Sequence, residues 1–336
     1  MTIILTDGFD HYNTSSQKWT GGSMSISNVG RTGTGGAILN GNVPTKQVQP
    51  AQEHATFIWG KAVKRGSGGT TEFRFLSDSL ATQHITVQAT TTGEIKVFRG
   101  TTGGTQLGST TAAGIVPAAT YTYVEIKAVL SDTVGAVTVR INGAQVFTVT
   151  GADTKNGGTK TVFDGISMAN SIADTNIDDL VLMNGAGSAN NDFIGDVKIE
   201  TIYPTGNGTT SGLTGSDGNS TDNYLLVDET PPNTSDYNGS ATDDLYDTYA
   251  MGNLATVAGT VYGAVAYAYA AKSDAGTKGG AIMVRSGGTD YEKTDNALGT
   301  SYVYYNEIME QNPNTSTAWT ISTINSVELG YKVKAS

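Results

Sequence analysis

"IDDLVLMNGAGSANNDFIGDVKIETIYPTGNG", residues 177–208, sets two apolar runs on either side of a soft centre. Residues 177–183 read as one strand and residues 197–203 as a second, by their β-branched and aromatic content. Between them, residues 185–191 contain only Gly, Ala, Ser and Asn. Such a segment serves either as a loop inside one domain or as a seam between two, and the choice sets the architecture.

Working outward, the chain has 336 residues, a length that suits two domains. It is 38% hydrophobic, enough for packed cores, but only 15% charged, with 43 glycines and 7 prolines. Helical periodicity is almost absent, and short β-branched and aromatic runs punctuated by Gly, Asn, Asp and Thr recur throughout. The fold class expected is all-β. A net charge of −11 argues against a nucleic-acid partner, which needs clustered Lys and Arg. With no cysteine, disulfides, thiolate metal sites and cysteine nucleophiles are excluded. The opening "MTIILTDGFDHYN" lacks the basic region of a secretory signal, so none is expected, and no stretch reaches the ~20 apolar residues of a membrane-spanning helix.

In "GAVTVRINGAQVFTVTG", residues 135–151, Asn142-Gly143 predicts a two-residue type I′ turn, which sets Ile141 opposite Ala144 and Val139 opposite Val146. Val137, Val139 and Ile141 then face a core, and Arg140 and Gln145 face water. "YTYVEIKAVL", 121–130, alternates in the same way, with Val124, Ile126 and Ala128 inward and Glu125 and Lys127 outward. Phe57, Trp59, Phe73, Phe75, Ile85, Val87, Ile95 and Val97 extend the inward set. Short antiparallel strands, each with one wet face, close as two packed sheets or a barrel.

The order "DGFD", "GRTGTGGAILNG", "FRFLSD", "TTTGEIKVFRG", "YTYVEIKAVLSDTVGAVTVRINGAQV" and "NIDDLVL" resembles the concanavalin A-like, laminin G-like jelly roll. The resemblance covers residues 1–184 and implies two curved antiparallel sheets with adjacent first and last strands. It makes residues 177–183 the last strand and residues 185–191 an interdomain linker. It also implies calcium at the rim of the sandwich, for which Asp174, Asp178 and Asp179 are candidates beside Asp217, Asn219 and Asp222 of "SDGNSTDN". Neither set has EF-hand spacing, and Asx turns with strand-end solvation are the preferred explanation of both. Tyr12, Trp19 and Tyr121 are the candidate glycan platforms, with core packing as the alternative.

Residues 192–336 read as a second, smaller antiparallel β-sandwich. "VYGAVAYAYAAK", 261–272, reads as a central strand, and "TSTAWTISTINSV" as a short helix capped by Ser316 or Thr317. The run "GDVKIETIYPTGNGTT", "VDETPPN", "KSDAGTKGGAIMVRSGGTDYE", "TSYVYYNEIMEQNPNTSTAWT" and "NSVELGYKV" resembles a C-terminal module of tailed-phage virion structural proteins. That resemblance implies a protein made in a bacterial host cytoplasm and placed on the outside of a virion, as a capsid decoration or head fibre. It implies capsid or tail proteins as partners and a homo-oligomer. Tyr302, Tyr304 and Tyr305 are candidate assembly contacts, because tyrosine combines ring area with a polar tip. A tail appendage or receptor-binding module holding host glycans is the alternative.

Enzymatic readings find little footing. Retaining glucanases of the jelly-roll class hold two carboxylates ~5 Å apart on alternate positions of one strand. No E-x-D-x-E spacing occurs, and Glu307 and Glu310 point to opposite faces. His11, His54 and His84 are isolated, and the Gly-rich segments lack the Lys-Ser/Thr of a phosphate loop. No catalytic residue and no organic cofactor is expected.

Overall fold

A computed structural model of the chain describes residues 2–31, 35–39, 41–171 and 175–335. The chain divides into two compact units, 1–199 and 200–336. The seam therefore follows residue 199, later than the linker expected at 185–191.

The first unit is a sandwich of two antiparallel sheets. Among the described residues, an eight-stranded sheet runs Ala144–Ala152, Gly135–Ile141, Thr122–Val129, Thr56–Lys64, Thr175–Asn184, Gly36–Leu39 and Met24–Ser27, with Ile3–Asp7 paired to Thr175–Asn184. First and last strands are thus adjacent. The six-stranded sheet runs Thr45–Gln47, Gly165–Asn170, Thr71–Ser77, Thr82–Ala89, Ile95–Arg99 and Thr105–Leu107. Alternation places Phe57, Trp59, Phe73, Phe75, Ile85, Val87, Val124 and Ile126 between the sheets, all fully buried. Trp59 meets Phe73 and Phe75 edge-on at 5.0 and 5.7 Å, a favoured aromatic geometry. Lys61, two positions from Trp59, shares that inward face. Its ammonium lies 4.1 Å from the Phe73 ring, is wholly buried and has no hydrogen-bond partner. Burial holds its pKa well below the usual lysine range.

The Asn142-Gly143 turn is formed, with φ values of +47° and +81°. Its register departs from expectation: Arg140 pairs with Gln145, but Val139 pairs with Phe147, because a bulge absorbs Val146. Phe147 takes the buried place expected for Val146.

In the second unit, a five-stranded antiparallel sheet runs Pro204–Ser211, Tyr246–Met251, Glu328–Lys334, Gly279–Ser286 and Thr289–Ala297. Ile282 and Val284 of this sheet share a core with Ala266, Met309, Trp319, Ile324 and Val327. Among the described residues, Ala264–Ala270 pairs only with Val303–Met309, as a two-stranded ribbon laid on that core, so it is not the central strand expected. The short helix is Ile321–Ile324, capped by Thr320 rather than by Ser316 or Thr317. Among the described residues, no helix is long and apolar enough to cross a membrane.

Residues 197–203, expected as a strand, form none; the strand starts at Pro204. Their neighbourhood spends its backbone donors differently. Ile194 N–H donates to Glu125 Oε1 at 2.8 Å, and Ile199 N–H to Asp179 Oδ1 at 2.7 Å. Arg31 reaches the Val197 carbonyl at 2.7 Å and pairs with Asp196. Arg140 lies over the Phe193 ring at 4.1 Å, and Lys127 pairs with Asp192 at 3.1 Å. The segment 192–199 is a strap laid over the outer face of the eight-stranded sheet. Glu125, expected to be wet, is 1% exposed beneath it.

Candidate functional site

The expected site residues are distributed as follows. Tyr12 and Trp19 are each 2% exposed and cannot present a ring to a sugar. Both serve Asp7, whose Oδ2 accepts from Tyr12 Oη at 2.7 Å and Trp19 Nε1 at 2.9 Å, while Lys18 pairs at 3.3 Å. Burial alone raises the pKa of Asp7, but Lys18, His11 and these donors hold it below the ordinary value. The half-buried Tyr121 commits its hydroxyl to the Val29 carbonyl. Tyr12 and Trp19 are fastenings of the fold, not platforms.

Asp174 lies outside the described residues. Asp178 and Asp179 are buried, and burial pushes their pKa values up to about 7 and about 6. Their oxygens are already engaged. Asp178 accepts from the Arg31 and Asp179 amides, each at 2.7 Å, and Asp179 faces Arg31 Nε at 2.9 Å. Arg31 supplies the positive charge that calcium would bring, so these donors do not fit a calcium site. Among the described residues, no group of three or more acidic or histidine side chains could hold a metal ion. In the second unit, Asp217 accepts from the amide and side chain of Asn219, an Asx turn. Tyr302 stacks on Tyr269 at 5.3 Å, Tyr304 lies tilted against it at 4.6 Å, and Tyr305 donates to the Ala297 carbonyl at 3.1 Å.

Two arrangements invite a catalytic reading. Glu125, pushed up to about 7 by burial, has the character of a general acid. The strap covers it, and the amides of Ile194 and Gly195 occupy its oxygens. Ser77 Oγ lies 2.6 Å from His84 Nε2, as in a nucleophile–base pair. Here His84 Nδ1 accepts from the Asn156 amide at 3.0 Å, so Nε2 carries the proton and cannot take one from serine. Both side chains are fully buried. Both arrangements are buried within the fold.

A further group of polar side chains is gathered on the outer face of the six-stranded sheet, at the edge of a cleft. Because Phe73 and Phe75 point inward, Glu72, Arg74 and Leu76 point outward. Pairing places Ser167 on one side of Arg74 and Thr86 on the other. The register shift after Phe75 brings Gln83 opposite Leu76. A cleft of about 180 Å³ opens there, lined by Arg74, Ser167, Gln83, Thr45, Val43, Leu76, Leu80 and Ala81.

Each wall has a local cause. Asp78, Ser79 and Leu80 have φ of +54°, +59° and +70°, a run that non-glycine residues adopt only at a cost in energy. Asp164 holds it by accepting from the Ser79 amide at 2.7 Å, and Asp78 by accepting from the Thr159 hydroxyl at 2.6 Å. Glu72 orients Arg74: one carboxylate oxygen takes Nε at 2.8 Å and Nη2 at 2.7 Å, and the other takes Gln88 at 3.2 Å. Ser167 is 1% exposed, and its hydroxyl has no hydrogen-bond partner. A buried hydroxyl left unpaired beside an oriented guanidinium is a donor set awaiting an acceptor. Sequence reading missed this site because Ser167 and Arg74 meet only through strand pairing; the outward positions of "EFRFLSD" were its only trace.

No protein-family model and no curated protein matches the chain. Among solved structures it is similar to a tetrameric galectin from the ball sponge Cinachyrella sp. (11% identity, 42% of this chain and 96% of that one, TM-score 0.30). It is also similar to carbohydrate-binding module CBM66 from Bacillus subtilis (8%, 47% and 96%, TM-score 0.30). A third is a Bacillus subtilis protein of unknown function with a galectin-like fold (11%, 55% and 98%, TM-score 0.37). The assignment of a sandwich rests on the strand pairings above and not on these likenesses.

Proposed function

We propose that this chain is a glycan-binding module and that the cleft around Arg74, Ser167 and Gln83 holds the sugar. The observation that carries the reading is the unpaired Ser167 hydroxyl, buried in the floor beside an arginine whose orientation Glu72 sets. Arg74 and Ser167 offer donors, Gln83 offers an amide oxygen, and Leu76 and Leu80 offer an apolar wall. Few polar groups converging in an apolar-walled cleft is the usual make-up of a small-ligand site. The module is non-enzymatic in this reading, since Glu125, Asp178 and Asp179, whose pKa values burial raises, are already held by backbone amides or by Arg31. Its place on a virion exterior, its capsid or tail partners and its self-association rest on the resemblance of residues 196–336 alone. Glycan-array binding by the full chain tests the function. Arg74→Ala is expected to reduce the signal at least tenfold, and an unchanged signal from Arg74→Ala would place binding elsewhere.

A further inference from the structure

We infer that the cleft selects an uncharged sugar ring over an acidic one, an inference that rests on the glycan-binding reading above. Arg74 is the cation among the residues lining the cleft, and its charge is already matched. Nε and Nη2 share one oxygen of Glu72, leaving the Nη1 edge to point donors without a net positive charge behind them. A ligand carboxylate at that edge would meet the Glu72 charge across a single guanidinium, and like charges so close repel. Gln88 holds the second Glu72 oxygen, so the carboxylate cannot swing away without breaking that bond. The net charge of −11 adds a long-range field that disfavours acidic polysaccharide.

Neutral hydroxyls fare differently. A sugar hydroxyl both donates and accepts, so it can accept from Arg74 Nη1 or Ser167 Oγ while donating to Gln83 Oε1. The C–H face of a pyranose can lie on Leu76 and Leu80, which line the same cleft. A volume of about 180 Å³ is well below the roughly 300 Å³ at which drug-sized pockets begin, so one ring enters rather than an extended chain.

The test uses the full chain and pairs of methyl glycosides that differ only at C6: glucoside with glucuronide, and galactoside with galacturonide. Titration by calorimetry or by NMR shift is expected to show the neutral member of a pair binding at least tenfold tighter. Glu72→Gln keeps the shape of the pair but frees the Arg74 charge, and is expected to reverse that preference. Melting curves establish that each variant is folded. If the parent prefers the uronides, the selectivity is overturned while glycan binding stands. If Glu72→Gln leaves the preference unchanged, charge matching is not its cause and the inference fails. If the folded parent binds neither series, the glycan-binding reading itself falls.

Discussion

The two outer faces of the first unit follow one alternation rule and end in opposite states. On the eight-stranded sheet, Tyr123 and Glu125 point outward yet are each 1% exposed: Arg31 lies over the Tyr123 ring, and residues 194 and 195 cap Glu125. A Cβ on Gly60 would run into the Tyr123 hydroxyl, so even the neighbouring strand is shaped around this packing. On the six-stranded sheet, Glu72 and Arg74 also point outward and remain within reach of solvent. Covering converts carboxylates into acceptors for backbone amides and raises their pKa values. Leaving a face open keeps its charges paired and available. An outward position is therefore a statement about a strand, not about water.

Removing the cover should have the largest effect. A chain ending at residue 188 leaves Glu125 and Asp179 without the Ile194, Gly195 and Ile199 amides, whereas one ending at residue 199 keeps them. Thermal melts of 1–188 and 1–199 are expected to show cooperative unfolding for 1–199 and a lower or absent transition for 1–188. Equal melting temperatures would mean that the strap is ornamental.

Arg31→Ala strands the buried Asp179 carboxylate without its cation and should cost about 3–5 kcal/mol in chemical denaturation. Between the two faces, Lys61→Met replaces an unpartnered buried amine with an apolar side chain of similar volume. A gain of about 1–4 kcal/mol is expected at pH 7. The gain should shrink as pH rises towards about 10, since the unfolded lysine then loses its proton as well.

Glu125→Gln sharpens the comparison through pH. Glu125 and Asp178 titrate at about 7 and Asp179 at about 6 in the fold, against roughly 4 when unfolded. Between those values the folded chain binds more protons, so the three carboxyls make stability fall as pH rises from about 4 to about 7. His11, pushed down to about 4 by burial, acts in the opposite direction below about 6.5. The glutamine variant should melt higher than the parent at pH 7.5, by on the order of 1–3 kcal/mol. The difference should close as pH approaches 4, and a pH-independent difference would contradict the assignment. The smallest effect on stability belongs to the open face: Arg74→Ala should cost no more than about 1 kcal/mol, since surface ion pairs contribute little.

Period-two alternation alone identified Phe57, Trp59, Phe73, Phe75, Val124 and Ile126 as core, because burial of a strand face follows from local geometry. Asn142-Gly143 likewise announced its own turn, since positive φ angles are a property of those two residues. Other features could not be read this way. The bulge that replaces Val146 by Phe147 depends on what the opposite sheet can accommodate. Residues 197–203 have a strand's composition but no strand partner, and carboxylates distant in sequence take up the amides beside them. Tyr12 and Trp19 have the chemistry of sugar platforms, and only the buried Asp7 between them turns both rings inward. Composition and alternation by themselves determined that the chain is β-built and which side chains face a core. Which outward face is covered, and that Ser167 stands beside Arg74, only the tertiary structure decided, because both depend on contacts between segments that the chain brings together only in folding.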